Sequence, residues 1–302
     1  MQLSETAKLL VVINPRARRN GERLLADLQD AGRDGWTWTI VETSPEQFQH
    51  GALADQAQAS DVVVAIGGDG TVTDAMTAIG DVEIPLAILP GGSTNVIAQE
   101  LGLPFAPEGL ASLLSEGYDI RVMDAATCNG RYFLHMAGAG FDSRIFDQAN
   151  PELKQKVGWF AYLPSAASSL RMPPSRFTIT TESASFELTS PMVLVANGAG
   201  IVRPSLYVYP GIASDDGWLD LIAVTATEPT AIASVLARFV TRSMDRSPHI
   251  LHTRSTSVHI EANPPMPVQV DGDVVGMTPV QIEILPGKGR IVVPKGTGAT
   301  EA

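Results

Sequence analysis

Several things are scarce in this chain. It has a single cysteine, Cys128, in 302 residues. No internal disulfide can form, and no zinc site can be built from cysteines; Cys128 reads as a small buried filler. No apolar run approaches the ~18 residues that a membrane-spanning helix needs. The opening residues, Met1 to Lys8, are polar and do not read as a signal peptide. Positive charge is in deficit, with 21 Lys and Arg against 33 Asp and Glu and a formal net charge of −12. Phosphate backbones are bound by clustered cations, so nucleic acid is not an expected partner. The five histidines show no metal-ligand spacing; His249 and His252 lie three apart without a carboxylate companion and read as strand or surface residues. No Walker A sequence is present, which excludes a P-loop enzyme. Hydrophobic residues make up 44% and charged residues 18%, enough apolar material for real cores and too much for a disordered chain. The expected setting is cytoplasmic.

The first 125 residues alternate between strand and helix patterns. Leu9–Ile13, Trp36–Val41, Val62–Ile66 and Leu86–Leu89 read as strands, and Gly21–Leu28 carries helix-spaced leucines. Strands that alternate with helices predict a parallel, Rossmann-like sheet covered by helices. After Asp124 the texture changes to short β-rich segments punctuated by Gly and Pro: Arg131–Met136, Arg176–Thr181, Met192–Ala196, Leu219–Val224, Ser257–Glu261 and Val280–Ile284. That pattern predicts an antiparallel β-sandwich. Helical stretches are expected at Pro151–Leu170 and Pro229–Met244. The chain is therefore expected to divide into an α/β nucleotide-binding unit over 1–125 and a β-rich substrate unit over 126–302, with the last strand free to pack back on the first unit.

Three predicted strands end in polar, glycine-bearing loops: Asn14 to Gly21, Gly67-Gly68-Asp69-Gly70-Thr71, and Pro90-Gly91-Gly92-Ser93-Thr94-Asn95. In an open parallel sheet the carboxyl ends of the strands share one edge, so these loops should converge on one site. Glycine lets backbone N–H groups approach an anion, and a following helix start favours negative charge. Thr71, Ser93 and Thr94 add hydroxyls, and Arg16, Arg18 and Arg19 form a local positive cluster. These features suit a polyphosphate. A carboxylate at Asp69, among three glycines, suits a Mg²⁺ standing between it and the phosphates.

The Gly67-Gly68-Asp69-Gly70-Thr71 motif, with an Asn14-Pro15 loop before it and a Gly92-Ser93-Thr94-Asn95 loop after it, resembles the diacylglycerol kinase catalytic domain family, which includes bacterial lipid kinases and sphingosine kinases. The spacing matches from about Lys8 to Pro294. The resemblance implies an ATP-dependent, Mg²⁺-requiring lipid kinase of phospholipid metabolism. It further implies that Gly67, Gly68, Asp69, Gly70, Thr71, Val72 and Thr73 hold the ATP phosphates, with Asn14, Thr43, Gly92, Ser93 and Asn95 as further nucleotide contacts. Asp142 matches an Asp near the family's metal network. Ala213, Asp216 and Trp218, in Ala213-Ser214-Asp215-Asp216-Gly217-Trp218, match a structural Mg²⁺ loop, with the Asp216 carboxylate and the backbone carbonyls of the other two as ligands. Asp271-Gly272-Asp273 lies where the family carries Asp-Gly-Glu, so Asp273 is the expected general base and, with Asp69, the expected catalytic pair. Asp273 is one methylene shorter than the family's Glu, Val96 stands where many relatives have Asp, and Thr73-Asp74 stands where many have Asn-Glu.

The stretch from Pro151 to Arg176 holds Lys154, Lys156, Arg171 and Arg176 beside Trp159, Phe160, Tyr162 and Leu163. Aromatics flanked by cations suit transient contact with a membrane surface, and a core-packed helix with a solvated face fits the same residues. Arg238, Arg242 and Arg246 fall at i, i+4, i+8 and read as a helix face. The expected acceptor is a diacylglycerol-like or sphingoid-like lipid alcohol, met peripherally at the membrane; a homodimer is compatible with this reading. Two rivals are a soluble kinase of NAD-kinase type and a relative that binds nucleotide or lipid without turnover.

Overall fold

The computed structural model describes residues 1–15, 17, 20–43, 49–140, 173–198 and 208–297. Arg16, Arg18, Arg19, Asp142, the expected helix Pro151–Leu170 with its aromatics and lysines, and Arg171 lie outside the described residues.

The first four strands are β1 (Lys8–Ile13), β2 (Thr37–Glu42), β3 (Val62–Gly67) and β4 (Leu86–Pro90). They are parallel, in the spatial order β2-β1-β3-β4. The connecting helices are α1 (Gly21–Ala31), α2 (Ala54–Gln58), α3 (Asp69–Ile79), α4 (Val96–Glu100) and α5 (Pro107–Glu116). Both faces of the sheet are covered, which explains the continuous apolar runs. Along β1, Leu10 and Val12 enter one core while Leu9, Val11 and Ile13 enter the other. β3 divides in the same way, with Val63 and Ala65 on one side and Val62, Val64 and Ile66 on the other. Alternating side chains of one strand reach opposite faces, so a strand buried on both must be apolar throughout.

The second half adds β5 (Tyr118–Cys128), β6 (Arg131–Phe133), β7 (Met136–Ala139), β8 (Ser175–Thr181), β9 (Ser185–Ser190), β10 (Met192–Ala196), β11 (Leu219–Val224), α6 (Pro229–Val240), β12 (Ile250–Ser255), β13 (Ser257–Asn263), β14 (Pro267–Val270), β15 (Asp273–Met277) and β16 (Val280–Pro294). One antiparallel sheet runs β12-β11-β10-β7-β14-β15. Its inner face packs Val193, Val195 and Leu221 against Phe177, Ile179, Val258 and Ile260 of the other sheet. Its outer face packs Leu194, Ile222 and Val224 against Ile232 and Val235 of α6. The result is an α/β layer joined to an antiparallel sandwich.

The two halves share a sheet. β16 is longer than the expected Val280–Ile284 segment and continues past a register shift between Leu285 and Gly289. Its first part pairs with β13, and Ile291 pairs in parallel with Leu86 of β4. β5 runs alongside it from Tyr118 to Cys128, so the expected division at 125/126 falls inside a continuous strand. The expected helix to Met244 ends earlier. α6 stops at Val240, and Arg242 takes a left-handed backbone with φ 54°. Arg246 lies in a separate short 3₁₀ turn, so the three arginines do not share one helix face. Among the described residues, no helix is long and apolar enough to cross a membrane.

Candidate functional site

The ends of β2, β1, β3 and β4 form a continuous row. Thr43 N–H donates to Ile13 O at 2.8 Å, Asn14 N–H to Ile66 O at 3.0 Å, and Gly91 N–H to Gly67 O at 2.7 Å. These bonds extend the parallel ladder one residue beyond the strands, and they place Thr43, Asn14, Gly67 and the Gly91-Gly92 loop along one edge. Gly68 is the N-cap of α3, so the positive end of that 11-residue helix faces the edge. The glycines are needed for close packing. A Cβ on Gly92 would lie 2.6 Å from Gly68 Cα, and one on Gly67 would lie 2.2 Å from Thr71 Oγ1. The cradle is therefore backbone, which is what an anion site built on N–H groups requires.

Some side chains expected at the nucleotide do other work. Val72 belongs to the hydrophobic core. Thr73 is buried and its hydroxyl donates to Gly70 O at 3.0 Å. The helical turn rotates both toward the sheet. Asn95 accepts from Gly92 N–H and donates to Gly92 O, each at 2.9 Å, so its amide closes the third loop on itself. Ser93 is exposed at the tip of that loop.

Asp69 links the second and third loops. Its Oδ2 accepts from Val96 N–H at 3.0 Å and Thr94 Oγ1 at 3.3 Å, and its Oδ1 accepts from Ile97 N–H at 3.1 Å. The carboxylate among glycines thus has its charge met by backbone donors at the start of α4. Val96, where many relatives carry an acid, is buried and supplies one of those N–H groups.

The remaining acids come from the far end of the chain. Asp271 and Gly272 are the two-residue turn between β14 and β15, with φ 44° and 98°. An Asp-Gly pair suits such a turn, since both residues need positive φ. Asp271 therefore sits in the turn, and Asp273 opens β15. The Asp271 carboxylate accepts from Leu134 N–H at 2.9 Å, His135 N–H at 3.1 Å and Met136 N–H at 2.8 Å, which pins the turn. Burial raises its pKa, reinforced by Asp69 and opposed by His135 and the N–H groups of Leu134 and Met136. The turn delivers Asp273 to the glycine loop: a Cβ on Gly70 would lie 2.6 Å from Asp273 Oδ2.

Arg131 stands beside that carboxylate. Its Nη2 lies 3.1 Å from Asp273 Oδ2 and 2.9 Å from Asp74 Oδ1. The contact with Asp74 is an ion contact rather than a directed hydrogen bond, since Asp74 Oδ1 and Arg131 Nε are both buried without a hydrogen-bond partner. Burial pushes the Asp74 carboxyl up to about 6, opposed by Arg131 and reinforced by Asp273. Sequence reading did not single out Arg131. Asn129-Gly130 before it is a legible hairpin turn, but what the arginine meets is set by distant segments.

The loop expected to hold a structural Mg²⁺ has a cation of its own. Asp216 Oδ2 lies 2.9 Å from Arg254 Nη2, and its Oδ1 accepts from Trp218 N–H at 3.1 Å. Arg254 also pairs with buried Asp220 at 3.2 Å and donates to Gly211 O at 3.2 Å. Asp215 pairs with Arg121 at 2.8 Å. Asp124 accepts from Gly217 N–H at 2.7 Å and Gly287 N–H at 2.8 Å, tying this loop to β16. In this arrangement the Asp216 carboxylate is paired with Arg254 and the Trp218 N–H. Among the described residues, no group of three or more His, Cys, Asp or Glu is placed to hold a metal.

Comparison with known proteins gives a consistent picture. Residues 8–128 match the diacylglycerol kinase catalytic domain, and residues 135–293 match the YegS C-terminal NAD kinase beta sandwich-like domain. A diacylglycerol kinase of Mycobacterium tuberculosis is 26% identical over 305 residues, covering 96% of each chain. An uncharacterized protein of Synechocystis sp. is 28% identical over 239 residues, but there the match spans 77% of this chain and only 54% of the other. A crystal structure from Bacillus anthracis str. Sterne, assigned as a diacylglycerol kinase, superposes over 98% of both chains at 26% identity with a TM-score of 0.76.

Proposed function

The chain belongs to the diacylglycerol kinase catalytic domain family, and we propose that it transfers the γ-phosphoryl group of ATP to the hydroxyl of diacylglycerol or a similar lipid alcohol. The observation that carries this reading is the contact between the Asp273 carboxylate and Gly70 of the glycine loop. It puts a proton acceptor beside the backbone cradle where a terminal phosphate would lie.

Thr43, Asn14, Gly67, Gly68 and Gly92 border the nucleotide, and the N-terminus of α3 faces its phosphates. Asp69 and Asn95 act indirectly, by fixing the third loop against the second. The lipid oxygen forms a bond to the γ-phosphorus as the bond from that phosphorus to the β–γ bridging oxygen breaks. The hydroxyl proton goes to Asp273, and ADP leaves with the displaced oxygen. In such a loose transition state, catalysis is chiefly positioning and charge stabilisation. A divalent ion such as Mg²⁺ would neutralise phosphate charge; among the described residues no three His, Cys, Asp or Glu are grouped to hold it.

The strand that begins at Asp273 also suits an apolar acceptor. β15 is an edge strand, and its Val274 and Met277 are 52% and 53% exposed. A lipid could approach along it from a membrane surface. The test is incubation with labelled ATP and total lipid extract, followed by identification of the labelled product. Label in a glycerolipid or sphingoid phosphate, dependent on lipid micelles, supports the proposal. Label in NADP, or none in any lipid, overturns it.

A further inference from the structure

We infer that Arg131 is a positioning residue for the phosphoryl transfer, a guanidinium clamp that holds Asp273 against the glycine loop by sharing itself with Asp74. The inference rests on the lipid-kinase reading above.

The clamp joins the parts that must meet. Asp74 is on α3, one turn beyond Gly70, so it moves with the phosphate loop. Asp273 opens β15 and moves with the hairpin that Asp271 pins. Arg131 is fixed to neither. It sits on β6, opposite Cys128 of β5, across the Asn129-Gly130 turn. That turn is anchored to β16 in both directions, with Asn129 N–H donating to Gln281 O at 2.9 Å and Gln281 N–H donating to Asn129 Oδ1 at 2.8 Å. A rigid hairpin therefore presents one planar cation to two acids from segments far apart in sequence. Arginine suits this role because its fork is flat and always charged.

Without the cation, two carboxylates would face each other near Gly70. Like charges raise each other's pKa and push apart, so Asp273 would swing off the loop and hold its proton to higher pH. Asp74 already titrates high, at about 6, because of its burial. Arg131 also acts on Cys128, whose thiol burial pushes up to about 11, so it carries no charge near neutrality.

The test uses Arg131→Met, Arg131→Lys and the double variant Arg131→Met/Asp74→Asn, beside wild type. Two readouts are taken: the pH profile of kcat on lipid micelles with KM for ATP, and carboxyl ¹³C titration of Asp74 and Asp273. We expect Arg131→Met to lose about 10²-fold in kcat, as a misplacement near 1 Å does, with KM for ATP unchanged. Its acid limb should move to higher pH. The double variant should bring that limb back, and Arg131→Lys should keep an intermediate rate. In the titration both carboxyls should move up in Arg131→Met. An unshifted acid limb together with unshifted titrations overturns the clamp, whatever happens to the rate. If wild type phosphorylates no lipid, the lipid-kinase reading fails on its own, and the titration, which needs no turnover, still decides the clamp. If Arg131→Met does not fold, Arg131→Lys decides: because lysine keeps the charge and loses the fork, an intermediate rate with the carboxyls near their wild-type titration supports the clamp, and full activity overturns it.

Discussion

Asp273, from the second half of the chain, lies against the one face of Gly70 where a side chain would start. The carboxylate Oδ2 sits where a β-carbon on Gly70 would come within 2.6 Å of it. A residue with any side chain at position 70 must therefore displace the acid or shift the start of α3. The glycine is required by this approach as much as by the phosphate it would border.

Gly70→Ala should lower kcat by about 10²-fold by moving Asp273. Stability should change little, because the Asp273 side chain is 55% exposed and can swing into solvent. Steady-state kinetics and urea unfolding check this. Wild-type kcat in Gly70→Ala would mean that the position of Asp273 does not matter.

Asp271 and Asp273 should separate in their effects. Asp273→Ala should lose roughly 10²–10⁴ in rate if it is the base, with unfolding free energy nearly unchanged. Asp271→Asn should lower both. An amide has one acceptor oxygen, and the three N–H groups of residues 134–136 now share two. One unsatisfied buried donor costs about 1–3 kcal/mol, and the loosened turn carries Asp273 with it. The comparison is kcat against urea midpoint for both variants; equal stability in Asp271→Asn and wild type would contradict the pinning role.

Asp69→Asn should destabilise as well as inactivate. Its carboxylate meets Val96 N–H, Ile97 N–H and Thr94 Oγ1. With an amide, an N–H₂ group is turned toward one of these donors, and the third loop parts from the second. A lowered melting temperature together with weakened nucleotide binding is expected. Lost turnover with an unchanged melting temperature would instead point to direct metal or phosphate contact by Asp69.

The loop around Asp216 should be held by Arg254 and not by a divalent ion. EDTA should leave the wild-type melting temperature unchanged. Arg254→Ala should lower stability by about 1–3 kcal/mol, the cost of leaving a buried polar group short of a partner, because Asp220 is 1% exposed while Arg254 is 39% exposed, and His252 at 2.6 Å still meets Asp220. Urea unfolding with and without EDTA measures both. A drop in wild-type melting temperature on chelation would restore the metal to this loop.

Much of the architecture was legible because burial on both faces of a strand leaves an unbroken apolar run. β1, β3, β4 and β10 each stand out for that reason. The meeting of the glycine loops followed from the same reading, since parallel strands end on a common edge. The Asp-Gly turn at 271–272 also carries a local signal, since both residues need positive φ. What no local pattern held was the partnership of distant charges. Asp69 answers to N–H groups 27 and 28 residues away. Arg131 meets Asp273 across 142 residues, and Arg254 closes on Asp216 and Asp220 from a neighbouring strand. Backbone propensity and hydrophobic period act over a few residues, so the sequence by itself determined the strands, the turns and the edge where loops gather. A long, bulged β16, which pairs with β4, β5 and β13 in one sheet, brings the second half onto the first, and only that tertiary packing decided which acid faces the glycine loop and which cation stands beside it.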